Sequence, residues 1–241
     1  MSVRIAMWSG PRNISTALMR AWENRPDTTV HDEPLYAHYL HQTGLPHPGA
    51  ADIIAAQPTD WRDVAAHLIG PVPGGHAIYY QKHMTHHLLP HIEREWVLEL
   101  ANAFLIRQPA EVLISLAKVL PDATIDQTGI PQQHALFQYI REQTGIIPPV
   151  IDARDVLEDP RRLLSALCKC LGVPFTEAML SWPPGPRPTD GVWAPHWYAS
   201  VEKSTGFQPY TPPTSSVPPQ MRPMLDRCNL LYEELAAHRL I

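Results

Sequence analysis

Four short stretches of this chain carry residues of the types and spacing needed to hold an anion and act on it. The first is Gly10-Pro11-Arg12-Asn13-Ile14-Ser15-Thr16, set between the apolar run VRIAMW (3–8) and a segment with Ile14, Leu18, Ala21 and Trp22 at helical spacing. A helix starting here offers the unpaired N–H groups of its first turn and the positive end of its dipole to a phosphate. Arg12 adds a planar cation that can grip two oxygens at once, and Asn13, Ser15 and Thr16 add polar side chains at the same place. The second stretch, LIRQPAEVLISL (105–116), puts Arg107 at a strand end, Pro109 two residues on, and Ser115 inside the following helix. The third is VHDEPLYAHY (30–39), with Glu33 just past a strand, and the fourth is YYQKHMTHHLLP (79–90), with Lys82, His83, His86 and His87. A carboxylate or neutral imidazole can take a proton from a hydroxyl, and an ammonium or guanidinium can stabilise charge developing on a transferred group.

By itself the first stretch reads equally well as a plain strand-to-helix turn. Two arginines at neighbouring strand ends favour an anion site. A Walker A loop is a poor match, because Gly10 is followed five residues later by Ser15 with no Gly-Lys pair. His83, His87 and His91 lie four apart and would share a helix face, but no carboxylate or cysteine is spaced to complete a ligand set, so no metal is expected. The net charge of -5 and the 18% charged residues argue against a nucleic-acid partner bound by bulk electrostatics. Three cysteines, with Cys168 and Cys170 one residue apart, suit neither a disulfide framework nor a metal site and point to reduced thiols in a cytoplasm. No run of residues is long and apolar enough to span a membrane, and the first residues lack a signal-peptide core.

The elements that must position these residues alternate. Short apolar or β-branched runs at 3–8, 28–33, 76–82, 101–107 and 148–154 predict strands. Helical patterns follow at 15–24, 110–120, 130–145 and 158–171, the last with Pro160 in its first turn and Gly172 at its C-cap. This alternation predicts a three-layer α/β/α fold with a central parallel sheet, in which ligands sit at the carboxyl ends of the strands. The 27 prolines concentrate near residues 183–218, where they forbid helix and predict a long ordered loop before a last helix at about 219–239. We expect the 241 residues to form one domain.

Pro11-Arg12-Asn13-Ile14-Ser15-Thr16 resembles the 5′-phosphosulfate loop of PAPS-dependent sulfotransferases, which reads P-K-S-G-T-T in the cytosolic enzymes and R-T-G-S-S in the Golgi carbohydrate enzymes. Ile14 stands where that family has glycine. Arg107 and Ser115 are similar to the family's R-x-P-x-x-x-x-x-S, whose arginine and serine hold the 3′-phosphate of the nucleotide. The segment DARDVLEDPRRLLSALCKCLGVPF (152–175) is similar to a structural block of the family, and Lys203, Ser204, Thr205 and Gly206 fall where the family places a loop over the nucleotide. The resemblance covers roughly residues 3–207 and implies a P-loop-like sulfotransferase fold.

The resemblance also implies roles. Glu33, in an E-P-L block like that of the Golgi and bacterial enzymes, would be the base; His83, near the histidine of a K-T-H-L-P-like block, is the rival, with His86 and His87 behind it. Lys82 would contact the sulfuryl group and Arg12 the developing charge. The expected activity is sulfuryl transfer from PAPS, without a metal, to a hydroxyl of a small molecule. Few basic residues outside the nucleotide loops lean towards a neutral or apolar alcohol. Trp193, Trp197 and Tyr198 would stack on adenine or wall the acceptor pocket, or simply pack the long loop. The rival readings are a nucleotide kinase-like phosphotransferase, which would want a Walker lysine and a magnesium aspartate, and a non-catalytic nucleotide-binding protein on the same fold. The sequence leaves the oligomeric state open.

Overall fold

The structure, a computed structural model, describes residues 2–241. Its centre is a five-stranded sheet of β1 (Val3–Ser9), β2 (Thr28–Asp32), β3 (Ile78–Met84), β4 (Ala101–Ile106) and β5 (Val150–Asp152), in the order β2-β3-β1-β4-β5. Every pair is parallel, with Met7 opposite both Lys82 and Ala103, and Asp32 opposite Lys82. The carboxyl ends of all five strands therefore share one edge, where Gly10, Glu33, Thr85, Arg107 and Ala153 leave the sheet.

The strands are buried on both faces, which is why they read as continuous apolar runs without alternation. Ile5, Met7, Tyr80 and Leu105 face one side and pack against α1 (Ser15–Glu23), α7 (Ala153–Glu158) and α8 (Pro160–Cys170). Ala6, Trp8, Tyr79 and Phe104 face the other and meet α4 (Trp61–Ile69), α6 (Ile130–Thr144) and α10 (Arg222–Ala236). The three-layer expectation holds. Four further helices, α2 (Tyr36–Thr43), α3 (Ala50–Ala56), α5 (Pro109–Leu116) and α9 (Ala194–Trp197), complete the helical set among the described residues. No helix is long and apolar enough to cross a membrane among the described residues.

Several boundaries differ from expectation for local reasons. β5 stops at Asp152, whose side chain accepts from Arg154 N and so starts α7 where the apolar run predicted more strand. The expected 110–120 helix ends at Leu116. The last helix begins at Arg222 after a single tight turn, Pro219–Met221, and ends at Ala236; Leu240 N then donates to Val150 O beside β5. The proline-rich segment is not free of helix. α9 forms within it because Pro195 falls in the first turn, where a missing N–H costs nothing.

Candidate active site

The turn after β1 is fixed by close approach. A Cβ on Gly10 would lie 2.4 Å from Thr128 O, so the 126–129 turn can sit against the loop only if residue 10 is glycine. The Asn13 side chain spans the turn, donating to Leu105 O at 3.1 Å and accepting from Ile14 N at 2.9 Å. Asn13 thus pins the loop to β4. Ile14 packs against the apolar cluster under α1. It sits at the helix N-cap with φ −88°, and among the described residues no side chain caps the N–H groups of the first turn of α1. Those donors stay available to an anion.

Arg12 and Glu33 are the two non-glycine residues with positive φ among the described residues, at 59° and 42°. Strain of this kind persists only where the surroundings impose it, and here it marks the ends of β1 and β2 at the site. Arg12 Nε donates to Ser115 Oγ at 2.9 Å, and Arg107 donates through Nη1 to Arg12 O at 2.8 Å. Arg107 Nε is held by Glu111 Oε2 at 2.9 Å, and Tyr210 OH donates to Glu111 Oε1 at 2.6 Å. Burial and then the neighbouring charge of Arg107 lower the Arg12 pKa from its usual value. Two guanidiniums brought together at an uncapped helix start repel each other until an anion joins them. The structure therefore gathers Arg12, Ser115 and Arg107, drawn from two separate stretches, around one helix terminus.

On the other side of β1, Lys82 is buried and uses all three of its donors: Asp32 Oδ1 at 2.8 Å, Glu33 Oε1 at 2.6 Å and Tyr198 OH at 2.7 Å. Burial alone would lower the Lys82 pKa, but the charges of Asp32 and Glu33 raise it well above the ordinary lysine value. Burial, opposed by Lys82 and reinforced by Asp32, raises the Glu33 pKa. Only Oε1 of Glu33 is hydrogen-bonded among the described residues, which leaves Oε2 to meet a hydroxyl. Lys82 holds Glu33, where the sequence suggested a contact to the sulfuryl group; its three protons are already committed.

His83 is separated from this group. Successive strand residues point to opposite faces, so with Lys82 turned to the α1 side His83 turns to the other. It stacks on Trp8 with ring centroids 4.1 Å apart, its Nε2 lies 3.2 Å from Gln81 Oε1, and burial pushes its pKa down to about 3. The histidines at the carboxyl edge are His86 and His87. Thr85 Oγ1 donates to Ser9 O and Gly129 O and so ties their turn to the phosphate loop. His87 stacks on both Tyr36 and Tyr39, and His86 packs edge-on to Tyr39 with its pKa pushed down to about 3 by burial and by His47. Both stay neutral near pH 7. His91 pairs with His38, their Nε2 atoms 3.0 Å apart, and among the described residues no three metal-binding side chains converge.

Lys203–Gly206 do not reach Arg107. Gly206 bridges Ser181, whose carbonyl accepts from Asn24 just past the end of α1, and Trp182 N donates to Thr205 O. This places the segment at the far end of α1 from the phosphate loop, about 13 Å away for a helix of that length. The chain returns to the Arg107 side at Tyr210, which sequence reasoning missed. Asp32 was missed too. Its signal is a carboxylate pair at one strand end opposite a lysine at the end of the neighbouring strand, visible only once β2 and β3 are known to be adjacent.

A family model described as a sulfotransferase domain matches residues 3–237. Two curated relatives, branched-chain-amino-acid aminotransferase-like proteins 2 and 1 of Arabidopsis thaliana, are 34% and 36% identical over 234 residues, 97% of this chain. The chain spans 41% and 42% of the length of those proteins. Among solved structures, the sulfotransferase domain from the curacin biosynthetic pathway is 16% identical with a TM-score of 0.54, covering 95% of this chain and 98% of that one. A sulfotransferase from Alicyclobacillus acidocaldarius is 12% identical with a TM-score of 0.57, covering 100% and 98%. These two share the fold. With the family match spanning nearly its whole length, the chain belongs to the sulfotransferase domain family.

Proposed function

We propose that the chain transfers a sulfuryl group from PAPS to the hydroxyl of a small-molecule acceptor. The observation that carries this reading is the convergence of Arg12, Arg107 and Ser115 on the uncapped start of α1, beside a buried carboxylate held by Lys82. A nucleotide with anionic groups at both its 5′ and 3′ positions matches two arginines better than a single phosphate would, and it offsets the burial and the Arg107 repulsion that lower the Arg12 pKa. When bound, the donor supplies an activated sulfuryl group on a phosphate leaving group. Arg12, Ser15, Thr16 and the first-turn N–H groups of α1 would hold its 5′ end, and Arg107 with Ser115 its 3′-phosphate. Pro11 and Asn13 shape and anchor that loop.

Glu33 takes the acceptor proton at Oε2, where no other group competes. Its raised pKa brings its proton affinity closer to that of the working solution, which favours general-base action. Lys82 keeps the carboxylate in place, and Arg12 faces the charge that appears on the leaving phosphate. The wall around Glu33, built from Tyr36, Tyr39, His87 and Trp193, is aromatic and uncharged, which suits a neutral alcohol. The free cysteines Cys168, Cys170 and Cys228 suit a reducing, cytoplasmic setting.

The test is transfer of label from ³⁵S-PAPS to a panel of uncharged phenols and alcohols, alongside the same panel with γ-³²P-ATP and magnesium. The reading expects ³⁵S in product and no ³²P. Transfer of ³²P would establish the kinase-like alternative, and nucleotide binding without transfer of either label the non-catalytic one.

A further inference from the structure

The proline-rich segment that the sequence marks as a loop does more than connect. It is clasped to the core twice. Arg20 of α1, almost fully buried, pairs with Asp190 at 2.6 Å, and eight residues later Tyr198 enters the buried charge cluster at the ends of β2 and β3. The Tyr198 hydroxyl donates to Asp32 Oδ2 at 2.6 Å and accepts from Lys82 Nζ at 2.7 Å and from Trp193 Nε1 at 3.1 Å. Gly191 N also approaches Asp32 Oδ2, at 3.3 Å. Trp193 and Tyr198 are 1% and 4% exposed, so no water competes for these bonds.

The cluster contains one ammonium and two carboxylates, and with both ionised it holds one negative charge too many. A proton arriving on Glu33 removes that excess. Lys82 alone does not determine which carboxylate stays charged, because it touches both. Tyr198 breaks the symmetry, since its hydroxyl donates to Asp32 and not to Glu33. That bond keeps Asp32 on Lys82, and Glu33, with Oε2 unpaired among the described residues, is the carboxylate open to proton exchange.

We infer that Tyr198 is a positioning residue for the base: by tying Asp32 to Lys82 it fixes the ammonium on Oε1 of Glu33 and leaves Oε2 for the acceptor. This rests on the reading of Glu33 as the base. The titratable groups facing Glu33 are Asp32 from β2, Lys82 from β3, Tyr36 from α2 and Tyr198 itself, while Tyr80 from β3 and His87 from the turn after β3 face Lys82.

The test is a pH titration of the Glu33 carboxyl by ¹³C NMR with 3′,5′-adenosine bisphosphate bound, its signal identified by its loss in Glu33→Gln. Tyr198→Phe keeps the ring and removes only the hydroxyl. Lys82 then has only the two carboxylates as partners, its charge falls more fully on Glu33, and the Glu33 titration moves to lower pH by about 0.5 to 1 unit. In the ³⁵S assay kcat falls with the KM for PAPS unchanged. An identical titration and kcat in Tyr198→Phe would overturn the inference while leaving Glu33 as base. Full turnover by Glu33→Gln would overturn the base reading itself, and this inference with it. If Tyr198→Phe does not fold, Trp193→Phe carries the test: removing the indole donor weakens the same hydroxyl, and the shift keeps its direction with a smaller size.

Discussion

Glu33 combines a left-handed backbone, near-complete burial and a single occupied carboxylate oxygen. None of these helps folding: the φ of 42° costs strain, and the buried charge costs desolvation that Lys82 only partly offsets. A structural role would be filled more stably by an apolar side chain, so the cost points to chemistry. Replacing Glu33 by Gln keeps the shape and removes the basicity, and turnover should fall by about 10²-fold or more, with bisphosphate affinity retained. Because its pKa is raised, the acid limb of the pH profile of kcat/KM should lie above the ordinary glutamate range and disappear in the Gln variant. The residue types at the site were legible in sequence because Arg12, Glu33 and Arg107 each follow a readable strand end and Ser115 lies on the helix that Arg107 leads into. The partners were not. Asp32, Tyr198 and Tyr210 acquire meaning only through contacts across 50 to 166 residues of chain, for which no local pattern exists.

At the scale of elements, the strand ends place the chemistry and the period of two decides which side chains share it. Lys82 and His83 are adjacent in sequence and lie on opposite faces of β3, so only one can reach Glu33; the pairing of Met7 and Asp32 with Lys82 decides which. The histidines at this edge are His86 and His87, beyond the strand. The helices between residues 34 and 75 escaped the sequence reading because they are short, of 8, 7 and 9 residues, with glycine or proline between them. The loop after β1 gives a prediction of its own. Gly10→Ala drives a methyl group into Thr128 O, and relieving that contact should cost about 1 to 3 kcal/mol. Thermal unfolding should show a midpoint lower by several degrees, with bisphosphate binding weakened as the 126–129 turn moves off the loop.

For the whole molecule, the balance of buried titratable groups sets how stability responds to pH. Burial pushes His31 to about 4 and His83 and His86 to about 3, and lowers His87 as well. Between the ordinary histidine pKa and these values the unfolded chain takes up protons that the native chain refuses, so stability rises with pH there. Each such histidine contributes up to about 1.4 kcal/mol per pH unit. Glu33 and Asp152, both raised, act in the opposite sense, but they are outnumbered. The unfolding midpoint should drop as pH falls from about 7.5 to about 5, and a flat or rising midpoint would show that these imidazoles are not buried neutral in solution.

The proposed chemistry requires that Arg12 and Arg107 form a single site for a nucleotide carrying phosphate at both 3′ and 5′ positions. Thermal unfolding with 3′,5′-adenosine bisphosphate, set against AMP, ADP and ATP with magnesium at equal concentration, tests it most directly. At about a hundred times its dissociation constant a ligand adds roughly 2.7 kcal/mol, enough to raise the midpoint by several degrees in a chain of this size. The account predicts that the bisphosphate alone raises the midpoint and that Arg107→Ala abolishes the rise. A rise with ATP and magnesium and none with the bisphosphate would contradict it.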